Sequence, residues 1–391
     1  MTAFLSIGFR PFYLGAGTFA VLAIPLWVVT YLFGTPLRLG DSPYLWHMHE
    51  MLWGFAPAVI GGFLLTAVRN WTGRTTPAGG ALAGLFGLWL IGRILPFFDL
   101  PVFTVLVDLL FLPVLALCVA VPLWRSGNRR NAFVVAILVA LWLADAAFHA
   151  STMGWAPVQY LRASTGVAMD LILVLISVIG GRIIPAFSAN AVTGLRPRTW
   201  PALDGIAIGL LVLIAAIDLS SPWASVSGGP YRVLLCLAAV AHLIRLAAWQ
   251  PWRTWRNVLL LVLPLAYLWI PVHLLLRAAQ DGVPGFVPPA AAHALFVGAM
   301  ASMMLAMMTR SALGHTGRPL TAGAPEIVCF IAIHLAALLR VFGPLISVEH
   351  YGVTLMVAGG LWTLAFTAFV VAYAPRLVAP RAELPGSAQR G

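Results

Sequence analysis

The sequence predicts an all-α, polytopic membrane protein of about twelve transmembrane helices. Three observations carry that reading. The 391 residues are 61% hydrophobic and only 9% charged, where a soluble domain averages roughly 45–50% apolar and about 25% charged. Mean hydropathy is +0.95. The apolar residues also fall into long runs divided by Gly, Pro and Arg. Such a composition excludes a cytosolic globule and a disordered chain. The net charge of +11 comes from 23 basic residues, all Arg, against 12 acids. Arg set between apolar runs reads as topology signal and anion anchoring, so no nucleic-acid partner is expected.

A spanning helix needs about 20 apolar residues at a rise of about 1.5 Å each. That ruler places spans near 12–33, 46–68, 78–97, 101–124, 131–153, 161–184, 201–219, 231–249, 257–278, 289–309, 324–346 and 350–374. Breaks such as Gly34-Thr35-Pro36 and Gly127-Asn128-Arg129-Arg130 separate them. No connection is long enough for a second folded domain. Residues 1–380 therefore read as a single transmembrane helical domain and residues 381–391 as a short flexible tail. The N-terminus lacks the basic region and cleavage site of a signal peptide, so the first span is expected to be retained. With both termini in the cytoplasm, that side collects sixteen Arg, while Arg38, Arg162 and Arg277 fall opposite.

Ionisable residues inside a membrane are costly and are functional candidates by default. The topology gives each a depth. His47, His49 and Glu50 open the second span from outside. His149 lies near the outer end of the fifth, with Asp145 four residues earlier on the same helical face. His273 lies about five residues, or roughly 8 Å, below the outer end of the ninth span. His293 enters the tenth. Asp108, Asp170, Arg93 and Arg340 also fall in the outer half, with Arg277 at its edge. Imidazoles and carboxylates from several helices are thus expected in one outer layer, where neutral imidazole suits haem iron, copper or zinc.

His47 and His49, two residues apart, point about 200° from each other on a helix, so they address different neighbours. We take His47, His49, His149, His273 and His293 as candidate metal ligands, the first two and last two as haem ligands. Arg93 and Arg340, with Arg277, are candidate propionate anchors. Glu50 and Asp145 are candidate proton carriers; for Glu50, a simple partnership with His47 or Arg38 is an equal alternative. His242, His315, His334 and His350 read as core or interface residues. Met303, Met304, Met307 and Met308 offer soft sulfur for Cu(I) or plain packing. Cys118, Cys236 and Cys329 are scattered, and no C-x-x-C-H is present, so any haem is held by axial ligands alone.

A weak repeat accompanies these residues. His49 precedes Thr72-Gly73-Arg74 by 23 residues, and His293 precedes Thr316-Gly317-Arg318 by the same interval. Asp170 stands 23 residues before Thr193-Gly194. Three units of four helices follow from this, an arrangement resembling the large subunit of haem–copper oxidases.

The segment Phe4–Phe12 (FLSIGFRPF) and the run Trp46-His47-Met48-His49-Glu50-Met51 onward to Trp71-Thr72-Gly73 resemble the NnrS family. So do Gly181-Arg182-Ile183-Ile184-Pro185, Trp269-Ile270-Pro271-Val272-His273, and the stretch from His293-Ala294-Leu295 through Met307-Met308-Thr309-Arg310 to Gly314-His315-Thr316-Gly317-Arg318. The resemblance implies a multi-pass protein of the bacterial inner membrane, carrying haem b and copper, linked to denitrification and to protection from nitrosative stress. Nitric oxide would be its ligand or substrate, and an electron donor still to be identified its partner beside membrane lipid. Three functions stay open: a nitric oxide reductase-type oxidoreductase, a sensor or sink with the same iron site, and a twelve-span transporter or metal-handling permease. The orientation has a direct check. A fluorescent protein fused after Pro380 should fluoresce, while a phosphatase that needs the periplasm should stay inactive there; the opposite pair of results would invert the topology.

Overall fold

A computed structural model describes residues 3–34, 42–224, 226–282 and 289–382. Among these, every regular element is helical. Twelve helices are long and apolar enough to cross a membrane. They are α1 (Phe9–Phe33), α2 (Pro43–Thr72), α3 (Gly80–Phe97), α4 (Pro101–Arg125), α5 (Arg129–Thr152), α6 (Gln159–Ala191), α7 (Pro201–Leu219), α8 (Gly229–Ala248), α9 (Val258–Gln280), α10 (Pro289–His315), α11 (Ala324–Ile346) and α12 (Tyr351–Val378). The chain is a multi-pass membrane protein. Arg38 and the tail beyond residue 382 lie outside the described residues.

Local chemistry sets the helix ends. α2 starts three residues before the expected position 46 because Ser42 accepts a hydrogen bond from the Leu45 amide at 3.4 Å and Pro43 occupies the first turn. It stops at Gly73, whose left-handed φ of 65° turns its N–H onto the Arg69 carbonyl at 2.9 Å. α10 is built alike: Pro289 opens it, and Gly317 at φ 75° follows its end. Inside both helices a π-helical stretch directly follows the histidine, Glu50–Phe55 after His49 and Ala294–Ala301 after His293. The paired 23-residue intervals thus correspond to two physically similar helices.

The helices differ in how much lipid they meet. α4 exposes Leu106, Leu110 and Leu117 along one face while Asp108, Leu112 and Leu115 are buried. That is the pattern of a helix with one face toward hydrocarbon. In α2, 94% of the most apolar stretch is buried. Enclosure on all sides makes α2 a place where polar side chains find protein partners.

The chain divides into two compact units, each discontinuous in sequence. Unit 1 comprises Met1–Trp142, Met307–Cys329 and Thr363–Gly391; unit 2 comprises Leu143–Ala306 and Phe330–Trp362. Within unit 1, α1 crosses α2 closely. A Cβ on Gly62 would lie 2.9 Å from Phe12 Cβ and 3.0 Å from Tyr13 Cε1, so only glycine permits the approach. Arg10 is buried, donating through Nη1 to the Leu377 carbonyl at 2.7 Å and the Ala379 carbonyl at 2.5 Å. It caps the C-terminus of α12, where a cation also meets the negative helix end. Glu326 of α11 closes the same region, accepting from Tyr373 Oη at 2.7 Å and Arg376 Nη1 at 3.1 Å.

Within unit 2, Gly180 and Gly181 of α6 make room for Tyr267 and the guanidinium of Arg245. Arg245 donates to Asp204 Oδ1 at 2.5 Å, to the Ser177 carbonyl at 3.0 Å and to Tyr267 Oη at 2.8 Å. Tyr267 Oη also meets His242 Nδ1 at 2.7 Å. The Gly-Arg-Ile-Ile-Pro motif of α6 therefore begins at a notch for a buried arginine. Removing the charged Arg10 donor from one buried and one half-buried carbonyl costs about 1–3 kcal/mol. Arg10→Met should accordingly lower the detergent-solubilised melting temperature, and an unchanged value would refute the cap.

Candidate functional site

The polar centre of unit 1 is assembled by α2, α3 and α4. His49 closes the first α-helical segment of α2, and the π-helical stretch begins at Glu50. A π stretch realigns side chains and releases carbonyls from the regular ladder. Within that stretch the Gly54 carbonyl accepts from Trp89 Nε1 of α3 at 2.9 Å. Gly54 also leaves space: a Cβ there would sit 2.5 Å from Arg93 Nη1 and 2.6 Å from Glu50 Oε2.

Four ionisable groups fill that space. His49 Nδ1 is 3.1 Å from Glu50 Oε1, and His49 Nε2 is 3.1 Å from Asp108 Oδ2. Arg93 Nη1 donates to Glu50 Oε2 at 2.6 Å, and its Nη2 donates to Asp108 Oδ1. All four residues are buried. Two carboxylates and one guanidinium leave one negative charge when His49 is neutral and none when it is an imidazolium. His49 Nε2 and Asp108 Oδ2 thus set one nitrogen and one oxygen donor side by side. That pair suits a proton or a small transition-metal ion. His47 turns elsewhere, stacked on Trp27 of α1 at 3.9 Å between ring centroids.

Unit 2 holds the other candidates. His149 Nε2 lies 3.6 Å from Asp145 Oδ1, one helical turn apart on α5, and both are buried. His273 is fully enclosed on α9. Its Nδ1 donates to the Ala291 carbonyl at 2.7 Å, which leaves Nε2 as the lone-pair atom, and that atom has no partner among the described residues. His293 Nδ1 donates to the Pro289 carbonyl at 2.6 Å, which likewise makes Nε2 its acceptor. The first turns of α10 therefore fix the tautomers of both rings. Arg340 donates to Tyr351 Oη at 3.1 Å and lies over its ring.

Two residues of unit 2 escaped the sequence reading. Asp218, at the end of α7, accepts from Arg277 Nη2 and from Tyr231 Oη at 2.6 Å. Arg277 also donates to Asp170 Oδ1 at 2.9 Å, while buried Asp170 Oδ2 has no partner among the described residues. Asp218 carried a usable signal, an acid at the end of an apolar run; Tyr231 carried none, since interfacial Tyr is common.

The residues assigned to one outer layer are thus divided between the units. His49, Glu50 and Arg93 meet in unit 1 with Asp108, and His47 stands apart against Trp27. Asp145, His149, His273, His293 and Arg340 belong to unit 2. Arg93 and Arg277, expected to face propionates, are engaged by protein carboxylates. Breaking a buried ion pair from one side costs about 3–5 kcal/mol. Arg93→Met should therefore destabilise strongly in thermal or denaturant unfolding, and Arg93→Met with Glu50→Gln should recover part of the loss. Equal destabilisation in both variants would show that charge balance is not what Arg93 supplies.

Comparison with curated proteins returned no match. The family model described as NnrS protein matches residues 3–381, nearly the whole chain. The chain therefore belongs to the NnrS family.

Proposed function

We propose that this protein binds haem b and copper in the bacterial inner membrane, with both termini cytoplasmic, and uses them to bind or reduce nitric oxide in the outer half of the membrane. NnrS membership supports a role in the response to nitric oxide. The observation that carries the reading is His273. A buried imidazole with Nδ1 committed to a carbonyl and a bare Nε2 is arranged as a metal ligand is. His293, with the same anchoring, is its natural companion.

The residues present fit these groups. His273 and His293 would hold haem by nitrogen, with Arg340 the candidate contact for a propionate. His49 would serve a small ion such as copper more readily than haem, because its Nε2 faces the Asp108 carboxylate. His47 of unit 1 and His149 of unit 2 are the remaining imidazoles for metal. Haem iron, when bound, supplies the one-electron chemistry that nitric oxide requires. The protein's own part is to fix the ring tautomers, exclude water and move protons. Glu50, bonded to His49 Nδ1, and Asp145, beside His149, would hold a proton at an imidazole nitrogen. Electrons come from a donor outside the chain. A twelve-span transporter or metal-handling permease is the second reading, favoured by the irregular backbone of α2 and α10. Those helices continue through their π stretches without unwinding, which keeps the redox reading ahead.

Purified protein should show a haem absorbance band that moves on adding nitric oxide. His273→Ala should remove that band, whereas His315→Ala, whose ring packs on Phe9 at 5.6 Å, should retain it. Full haem retention in His273→Ala would overturn the ligand assignment. Nitrous oxide formed per protein with an electron donor then separates a reductase from a sink.

A further inference from the structure

We propose that the α6–α7 and α8–α9 connections of unit 2 form a built platform for anionic phospholipid headgroups. Residues 192–200 and 249–257 carry Arg196, Arg198, Arg253 and Arg256, and neither segment contains Asp or Glu. All four arginines are exposed. Beside them Trp200, Trp252 and Trp255 are 46%, 61% and 62% exposed. Large aromatic surface left open at the ends of spanning helices is stable in the headgroup layer, where the ring meets acyl chain and the indole N–H meets water.

The two connections are held as one piece. The Arg198 amide donates to the Ala248 carbonyl at 3.0 Å, Gln250 Nε2 to the Arg196 carbonyl at 3.2 Å, and Arg253 Nη1 to the Gly194 carbonyl at 3.0 Å. Gln250 takes a φ of 57°, the only positive φ of a non-glycine residue among those described. A left-handed glutamine is strained, and strain persists only where surrounding bonds over-determine it. Here it turns the chain so that Pro251 and the exposed Trp252-Arg253 follow directly. Leu195, Trp249 and Thr254 are buried and anchor the platform beneath. Arg256 lies over the Trp255 ring at 4.8 Å, which fixes its direction.

Charge complementarity identifies the occupant. The nearest acid in sequence, Asp204 of α7, is bound to Arg245 at 2.5 Å and does not neutralise the four exposed arginines. A zwitterionic headgroup offers no net charge to them, whereas phosphatidylglycerol or cardiolipin does. Arg253 also serves the loop itself, so Arg196, Arg198 and Arg256 are the headgroup-binding set.

The test is the melting temperature of the full-length protein in detergent, titrated with phosphatidylglycerol, phosphatidylcholine or inorganic phosphate. Wild type should be stabilised by phosphatidylglycerol alone. Arg196→Gln, Arg198→Gln and Arg256→Gln should each weaken the apparent lipid affinity about five-fold, and Arg→Lys at the same positions should retain it. Equal responses to phosphatidylcholine, stabilisation by phosphate alone, or an undiminished response in the combined Gln variant would each overturn the proposal. A Gln variant that does not fold without lipid is replaced by Trp252→Ala with Trp255→Ala, which should weaken binding and leave the preference for anionic over zwitterionic lipid; loss of that preference would count against the arginines.

Discussion

A charged side chain moved from water into hydrocarbon loses hydration that no lipid tail can replace, at a cost of several kcal/mol. Among the described residues, buried charges are consequently met by other groups of the protein. Arg93 binds Glu50 and Asp108, Arg277 binds Asp170 and Asp218, and Arg245 binds Asp204. These pairs join helices that are far apart in sequence. Arg93 and Glu50 are 43 residues apart, and Arg277 and Asp170 are 107 residues apart. The same compensation that makes the charges tolerable therefore also fixes which helices lie together within each unit.

Backbone irregularity is subject to a similar condition. A π-helical stretch or a glycine in a spanning helix exposes carbonyls that must find donors inside the protein. In α2 the Gly54 carbonyl finds the Trp89 indole, and the missing side chain admits Arg93 and Glu50. In α6 the Gly180-Gly181 notch admits Tyr267 and Arg245. Glycine is thus used where a large polar side chain from a neighbouring helix must come close.

Arginines at or beyond helix ends are used in two ways. Arg10 inside unit 1 is spent on the last carbonyls of α12. Arg196, Arg198 and Arg256 of unit 2 keep their guanidinium groups at the surface. Identical residue types thus cap a helix in one place and stay exposed in another. The difference is burial, and nothing in the local sequence announces it.

Span number, helical class and membrane residence were legible in the sequence because they depend only on the length and polarity of successive runs. Candidate ligands were legible for the same reason: a histidine or acid within such a run stands out whatever it touches. α2 extends beyond the expected span at both ends and α10 at its C-terminal end, since Pro43, Arg69-Asn70, and Arg310 with His315 lower the local hydropathy while leaving the helix intact. Partnership was decided by tertiary structure alone. Whether Glu50 answers to His47, Arg38 or Arg93, and which nitrogen of His273 keeps its lone pair, depends on atoms from other helices. Hydropathy is a property summed along one chain segment, whereas a hydrogen bond needs a second group at a distance and angle that only packing sets.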